Sequence, residues 1–153
     1  MFATYDQHGV RLAFPENWLL EEDSDPEARL HLTLSSPNTA FWSLIVYPEV
    51  LDLPHVLDEA VGVLRKEYPD LESQPAEEQI AGHTLAGRDV NFICLDLTST
   101  ARLRACHRGA STYLLLCQAE DRELPHAQPV FDAITQSLLD GPPREGAAAV
   151  GAE

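Results

Sequence analysis

The sequence predicts an α+β fold: a central antiparallel β-sheet of about six to seven strands with helices packed on both faces, an α/β/α sandwich. Three observations support this prediction. The apolar patterns run in the order strands, helix, strands, helix. Turn signals in the second half recur at short, even spacing, which is typical of hairpins. Two strand-like runs are apolar on both faces, so both of their faces need covering.

The length and composition fit one globular domain. The chain has 153 residues, of which 44% are hydrophobic and 23% charged, an ordinary mixture for a protein that buries its own core. We expect a single domain over residues 1–140. Residues 141–153 offer little to bury, so we expect a disordered tail there.

A strand, a corner and a second strand open the chain. Gly9–Phe14 alternates apolar and polar residues, as a half-buried strand does. Pro15 cannot donate a hydrogen bond to a neighbouring strand, so pairing ends there, and a new strand begins at Trp18. We expect Phe14 and Trp18 to enter the core under a helix, with Trp18 mostly buried and Glu16 exposed.

Two further strands precede the first helix. An acidic loop is predicted over Glu21–Ala28, and Arg29–Ser36 then alternates cleanly. Ala40–Pro48 has apolar residues on both faces, which favours a central position in the sheet.

A single amphipathic helix follows these strands. Asp52 is a suitable N-cap, Pro54 lies in the first turn, where proline is tolerated, and Pro69 ends the helix. Its apolar residues recur at three- and four-residue steps and form one stripe: Leu53, Val56, Leu57, Ala60, Val61, Leu64 and Tyr68.

The second half is predicted to be an antiparallel meander closed by a helix. After a polar connector, a short strand turns near Gly87 into a longer one, and two more strands return from turns at Ser99–Thr100 and Gly109. A helix capped by Gly141 ends the domain. The predicted segments are the connector Asp70–Gln79, the strands Ile80–Leu85, Asp89–Thr98, Ala101–Arg108 and Ala110–Ala119, and the helix Pro125–Leu139.

This succession of elements resembles the PsbP/DcrB-like superfamily over about residues 5–140. The resemblance is carried by the segments FPENW, RLHLTLSSP, FWSLIVYP and AGHTLAGRDVNF, the strand TYLLLCQA and the closing helix VFDAITQSL. It implies an antiparallel sheet sandwiched between helices.

The known members of that superfamily also imply a kind of function. They include the extrinsic protein of photosystem II, a nuclear-transport factor that binds the GTPase Ran and the envelope protein DcrB. They also include cytoplasmic chaperones that shield hydrophobic segments of type VI secretion effectors. What these members imply in common is protein binding without catalysis, and the resemblance assigns no binding residue to this chain.

The net charge of −15 is concentrated in the first half of the chain. Residues 1–80 carry sixteen acidic side chains against four basic ones, and residues 81–153 carry nine against six. Such a chain should be repelled by nucleic acid and by anionic membranes. The acidic half could attract a basic protein partner, or it could serve solubility alone.

Three cysteines and one histidine on successive predicted strands invite a metal or catalytic interpretation: Cys94, Cys106, His107 and Cys117. Zinc needs converging ligands, and a thiolate nucleophile needs a base within hydrogen-bond reach. Cys106 and His107 are neighbours in one strand and so point to opposite faces, which disfavours both interpretations. We expect free thiols in a reducing compartment, with no metal and no cofactor.

Two arginines form a basic contrast within this acidic chain. Arg102 and Arg104 share one face of a predicted strand and could clamp a phosphate or an acidic group. The alternative is that they pair across strands with carboxylates such as Asp89 or Asp96. The chain carries no nucleophile elbow, phosphate-binding loop or dinucleotide fingerprint, so we expect that it is not an enzyme.

The sequence therefore predicts a non-catalytic cytoplasmic domain that binds another protein as an adaptor or a chaperone. The N-terminus lacks the basic head and apolar core of a signal peptide, which supports the cytoplasmic expectation. A chaperone should expose an apolar patch on the sheet or in a groove.

Two further questions stay open from the sequence. The competing function is an enzyme or small-molecule-binding protein with a pocket near Arg102, Arg104 and Tyr113. Edge strands of an open sheet can pair between copies, so a monomer and a dimer are both compatible with the sequence.

Overall fold

The computed structural model describes residues 1–24 and 29–140, which form nine strands and two helices. The first half contains β1 (Phe2–Gln7), β2 (Val10–Pro15), β3 (Leu19–Ser24), β4 (Leu30–Ser35), β5 (Phe41–Tyr47) and α1 (Leu53–Glu67). The second half contains β6 (Glu72–Ile80), β7 (His83–Cys94), β8 (Leu97–Arg108), β9 (Ser111–Glu120) and α2 (Leu124–Leu139).

Seven of these strands form one antiparallel sheet in the order β3-β4-β5-β9-β8-β7-β6. The strands β1 and β2 form a separate hairpin. The two helices pack on opposite faces of the large sheet, α1 against β7, β8 and β9 and α2 against β9 and β6. The predicted α+β class, strand number and sandwich arrangement are confirmed. The predicted central position of β5 is confirmed as well, because it lies between β4 and β9.

One face of the sheet is covered by α2 together with the β1–β2 hairpin. The ring of Trp18 meets that of Phe131 on α2 edge to face, with their centroids 6.0 Å apart. Trp42 donates its indole hydrogen to Thr135 on the same helix at 2.9 Å. Trp18 is 9% exposed, Phe14 is buried and Glu16 is exposed, so the predicted corner is confirmed.

The other face is covered in part by α1. Asp52 caps this helix by accepting a hydrogen bond from the backbone of His55 at 3.1 Å, which stabilises the first turn. At the other end Tyr68 stacks on Phe92 of β7, with ring centroids 4.2 Å apart. The predicted start, apolar stripe and end of α1 are confirmed.

The sequence prediction missed β1 and misplaced the end of β3. The hairpin turns at His8 and Gly9, which have φ angles of 54° and 77°. These left-handed values suit the tight turns that join twisted strands, although histidine gives no strong turn signal. The predicted acidic loop is wrong at its start, because β3 continues through Ser24. The rest of that loop lies outside the described residues.

Two predicted turns and a predicted connector are also wrong. The supposed connector Asp70–Gln79 contains most of β6, an edge strand where Pro75 needs no ladder partner. The chain turns at Ala81–Gly82 rather than at Gly87. It turns again at Leu95–Asp96 rather than at Ser99–Thr100, with two positive φ angles in each true turn.

Gly87 lies within β7, where the side chain of Arg104 from the neighbouring strand passes directly over its Cα. An added Cβ there would lie 2.6 Å from Nη1 of Arg104 and 2.7 Å from the carbonyl oxygen of Leu103. The arginine donates to Glu78 at 2.7 Å and to Asp89 at 2.8 Å. The predicted cross-strand pairing of Arg104 with Asp89 is confirmed.

The C-terminal predictions can be followed only as far as Asp140. The closing helix is confirmed as α2. The cap predicted at Gly141 and the tail predicted over residues 141–153 lie outside the described residues. In the part of the chain that the structure describes, neither helix combines the length and apolarity needed to cross a membrane.

We predict that Gly87→Ala lowers the free energy of unfolding by about 1–3 kcal/mol, because the methyl group overpacks against Arg104 and a backbone carbonyl. Gly62→Ala in α1 is the matched control, because a Cβ at that position meets no atom within 4 Å. The control should raise stability by about 0.5–1 kcal/mol. Urea unfolding of both variants measures the difference, and equal effects would contradict the explanation.

Candidate functional site

The sheet face that carries α1 is covered over only part of its width. The helix packs on β7, β8 and the near side of β9. The apolar cluster beneath the helix also takes in Ile45 and Tyr47 of β5, and within residues 1–24 and 29–140 the main contacts of α1 do not extend to β3 and β4. A groove of about 660 Å³ follows the boundary between α1 and the open strands. That volume lies within the range of ligand-binding clefts in proteins.

The floor of this groove is apolar. It is formed by alternate side chains of three adjacent strands: Ile45 of β5, Leu114 and Leu116 of β9, and Leu103 of β8. Ile45 lies directly opposite Leu114 in the register, and Leu103 lies opposite Leu116. The four side chains therefore form one continuous apolar strip, in which Leu103 and Leu114 are buried and Ile45 and Leu116 are half-buried.

The wall formed by α1 combines open space with an exposed apolar side chain. Gly62 lines the groove, and a Cβ placed on it meets nothing within 4 Å. Its neighbour Val63 is 67% exposed and also lines the groove. A glycine and an exposed valine both cost a helix stability, so their position beside the groove indicates a surface kept open and apolar.

Charged side chains stand at the edges of the groove. On α1, Glu59 lies 3.2 Å from His55, and Lys66, the only lysine of the chain, lies two turns further along. Across the groove, the guanidinium of Arg29 lies 4.9 Å from the centroid of the Tyr47 ring. The groove therefore has a cation on each side of an apolar floor.

The far margin of the open face is acidic. Leu20 of β3 packs in the core under the hairpin, so the residues on either side of it point to the open face. These residues are Leu19, which is 61% exposed, and the exposed Glu21, followed two positions later by Asp23. His31 and Thr33 of β4 lie on the same face, opposite Asp23 and Glu21 in the register. The surface thus changes from apolar beside α1 to polar on β4 and acidic at β3.

A second hollow, of about 570 Å³, lies beyond the C-terminal end of α1. Its walls carry four carboxylates, and Tyr68 and Phe92 line it as well. Burial, together with a hydrogen bond to Cys94, raises the pKa of Tyr68 to about 12. The tyrosine is therefore neutral at physiological pH, so the charged side chains that line the hollow are all carboxylates. Its carboxylates belong to Glu67, Asp70, Glu72 and Asp121.

The predicted pocket near Arg102, Arg104 and Tyr113 does not have the size of a substrate site. Arg102 and Arg104 line a cavity of about 20 Å³, which is room for about one water molecule. Arg102 donates to Gln128 at 2.5 Å. Tyr113 is only 6% exposed and lies in the core.

The charge of Arg104 is balanced by carboxylates of this chain. Burial by itself would lower the pKa of this guanidinium, but the hydrogen bonds that it donates to Glu78 and Asp89, with their negative charges, outweigh burial and raise the pKa. The interpretation of Arg104 as half of a phosphate clamp is therefore not supported.

The cysteines and the histidine weighed as ligands are separated by the sheet. Cys106 is buried on the α2 face, and His107 is exposed on the other face, with Nε2 2.6 Å from the carbonyl oxygen of Leu51. Among the described residues, no three His, Cys, Asp or Glu side chains are arranged as a metal site. Cys94, Cys106 and Cys117 are free thiols.

Burial also determines how these thiols ionise. It raises the pKa of Cys106 to about 11, against the opposing influence of Arg108. It raises the pKa of Cys117 as well, again as the dominant cause. Both side chains are protonated at neutral pH, and the protonated thiol is a poor nucleophile.

The groove residues were not among the candidates from the sequence. The predicted helix stripe did not include Gly62 or Val63, although Val63 follows Ala60 by three positions. An exposed valine beside a glycine within one helix was the available signal. Whether that surface is covered depends on how far α1 extends across the sheet. The apolar pattern of α1 does not indicate that distance.

Comparison with known proteins identifies the fold. No family model and no curated protein matches the chain. The solution structure of the cyanobacterial PsbP (CyanoP) from Synechocystis matches 89% of this chain and 90% of its own length, with a TM-score of 0.57 and 11% identity.

Two further solved structures are similar to the chain. PA94, a protein of unknown function from Pseudomonas aeruginosa, matches 92% of this chain and 98% of its own, with a TM-score of 0.50 and 18% identity. LpqN of Mycobacterium tuberculosis, involved in cell envelope biogenesis, matches 88% of this chain and 87% of its own, with a TM-score of 0.46 and 15% identity. The chain has a PsbP-like fold, as its sequence resemblance implied. Identities this low establish the fold and no activity.

We predict that a thiol reagent at neutral pH modifies the native protein at Cys94 first, because Cys106 is buried and burial raises the pKa of both Cys106 and Cys117. Mass spectrometry of digested, labelled protein identifies the modified residue. Unfolded protein should react at all three positions. Faster labelling of Cys106 than of Cys94 in the native state would show that the α2 face is accessible.

The raised pKa of Cys106 also predicts how stability changes with pH. The folded state holds the thiol proton up to about pH 11, whereas the unfolded state releases it near the ordinary value of 9.0. Stability from this group is therefore complete below pH 9.0 and is lost as the pH rises towards 11. Urea unfolding over this range should show a shallower decline for Cys106→Ala, and an unchanged slope would contradict the assignment.

Proposed function

We propose that the protein is a non-catalytic binding domain that takes an apolar segment of a protein partner into the groove beside α1. The observation that carries this proposal is the groove beside α1, with its apolar floor and a volume of about 660 Å³. A face of a sheet that is apolar and uncovered is completed by another element. A partner supplies that element, in the manner of an adaptor or chaperone.

The chemistry of the described side chains supports binding rather than catalysis. The groove lining contains no cysteine and no histidine, and its polar members are Arg29, Ser43, Tyr47, Glu59 and Lys66. Free thiols in an odd number suit a reducing compartment, which supports a cytoplasmic role.

A photocrosslinking experiment tests the proposal. A photoreactive phenylalanine derivative replaces Val63 in the groove wall, or Val50 as a control of similar exposure outside the groove lining (67% and 60%). We expect a protein adduct from position 63 that is missing from position 50. The captured protein, once purified, should bind the unmodified domain and should lose this binding when its apolar segment is replaced by serines.

Filling the groove provides the second arm of the test. Gly62→Leu places a large side chain in the open space, whereas Gly62→Ala leaves that space open, and both residues favour a helix. Binding of the captured protein should fall more than about tenfold for Gly62→Leu, as expected for loss of a central apolar contact, and should be retained for Gly62→Ala. An adduct with a small molecule alone, or equal binding by both variants, would overturn the proposal.

A further inference from the structure

We infer that the tip of the β7–β8 hairpin, residues 93–97, is a second protein-binding surface, and that its partner is a protein with a basic-rimmed apolar cleft that receives Leu95. The hairpin tip lies outside the groove lining, so this inference goes beyond the proposed function and does not depend on it. Two independent features lead to it, namely the residues that form the turn and the charges that surround them.

The turn at the hairpin tip lacks the glycine found in the comparable turns of this chain. Among the described residues, four hairpins turn through two residues. Two of these turns have φ angles of 54° and 77° and of 52° and 80°, with glycine in the second position of each. At the hairpin tip, Leu95 and Asp96 adopt nearly the same conformation, with φ angles of 52° and 65°. The four turns are His8 with Gly9, Ala81 with Gly82, Leu95 with Asp96, and Gly109 with Ala110.

Leucine is a poor choice for this backbone conformation. A left-handed φ angle brings Cβ close to the following carbonyl oxygen, and turns of this type favour asparagine followed by glycine. Burial does not compensate for the strain at Leu95, because 89% of this residue is exposed. Backbone strain of this kind is concentrated at functional sites. A leucine that neither suits its turn nor packs in the core therefore indicates contact with another molecule.

The apolar surface of the hairpin tip is larger than one side chain. Ile93 is 67% exposed and lies two positions before Leu95, about 7 Å away along the chain. Cys94 and Leu97, which lie opposite each other at the end of the ladder, are half-buried. Because Leu95 is almost fully exposed at the end of the hairpin, a partner must surround it to bury it. The complementary surface is therefore a cleft.

Negative charge surrounds the apolar hairpin tip. Ile93 lines the second hollow, where the charged side chains are all carboxylates. One of them, Asp121, accepts a hydrogen bond from Thr100 at 2.7 Å, and this neutral hydroxyl brings no cation to the hollow. Asp96 adds an exposed carboxylate within the turn itself. A partner that covers Ile93 and Leu95 therefore needs basic side chains around its cleft.

The same charges favour a protein over a lipid membrane. Exposed apolar side chains can also insert into a lipid surface, but carboxylates beside them are repelled by anionic lipids. The net charge of −15 adds to that repulsion. A basic protein is attracted by the same charges, which raise its rate of association.

Photocrosslinking from the hairpin tip identifies the partner. A photoreactive phenylalanine derivative replaces Leu95 in the full chain, or the exposed Ala81 as a control in the turn at the other end of β7. We expect a protein adduct from position 95 that is missing from position 81. The captured protein is then purified for binding measurements, because capture alone does not establish a specific contact. Absence of an adduct, or equal adducts from both positions, would overturn the inference.

The variant Leu95→Asn with Asp96→Gly separates binding from folding. It gives the turn its preferred sequence, so the midpoint of urea unfolding should rise, while affinity for the captured protein should fall about tenfold or more. Ala81→Asn is the matched control, because it creates the same asparagine–glycine turn away from the hairpin tip and should leave binding unchanged. A lower unfolding midpoint for the tip variant would show that Leu95 supports the fold, and would overturn the inference.

Charge-neutralising variants test the basic rim of the cleft. Asp70→Asn with Glu72→Gln removes two carboxylates from the hollow, and should weaken binding and reduce its dependence on salt. Glu16→Gln with Glu77→Gln removes the same charge from exposed positions outside the hollow. This control pair should retain most of the affinity. Equal effects of the two pairs would show that net charge alone determines binding, against the inference.

Two further measurements separate this inference from its alternatives. If Gly62→Leu weakens binding of the captured protein and the tip variant does not, that protein uses the groove, and the inference fails while the proposed function stands. Sedimentation with vesicles of phosphatidylcholine, with or without phosphatidylglycerol, tests the membrane alternative. We expect no binding to either kind of vesicle. Vesicle binding that is lost in the tip variant would assign the hairpin tip to a lipid surface and overturn the inference.

Discussion

A seven-stranded sheet is wider than one helix, and most features of this molecule follow from that mismatch. Six strand spacings of about 4.8 Å exceed twice the width of a helix with its side chains. On one face α2 is assisted by the β1–β2 hairpin, and together they bury the core around Trp42. On the other face, within the residues that the structure describes, the covering helix is α1. The groove exists because nothing in the described chain repeats the hairpin on that side.

Part of the acidity of the chain is concentrated along the two edges of the large sheet. Both edge strands of the large sheet are acidic, β3 through Glu21, Glu22 and Asp23 and β6 through its glutamates and Pro75. Like charges and a proline at an edge oppose pairing between copies. One of these acids, Glu22, also accepts a hydrogen bond from Tyr5 at 2.9 Å and holds the hairpin against β3. The same charges that protect the edge therefore also form the negative margin of the open face.

The elements with strong local signals could be predicted from the sequence, and those shaped by tertiary contacts could not. The stripe and cap of α1 and the alternation of β2 are local patterns, and they were correct. Gly87 was predicted to be a turn residue, but it lies within β7. Glycine is needed there because a Cβ would collide with the side chain of Arg104 on the neighbouring strand. The true turn at Leu95–Asp96 uses positive φ angles without a glycine. The groove could not be predicted from the sequence. A strand with apolar residues on both faces indicates that both faces are buried, but it does not indicate which element packs on each face.

The pairing of β5 with β9 has a consequence for the newly made protein. Trp42 and Leu44 are fully buried in the finished structure, yet the strand that completes their sheet is translated only after α1, β6, β7 and β8. At about 5–20 residues per second, the apolar strand β5 waits several seconds beside β4 with one edge unpaired. During that interval the acidic residues of β3, already made, lie one strand away from β5 in the sheet order, and their negative charge opposes association with other chains. The acidic first half of the chain is thus already synthesised while the sheet still lacks its later strands.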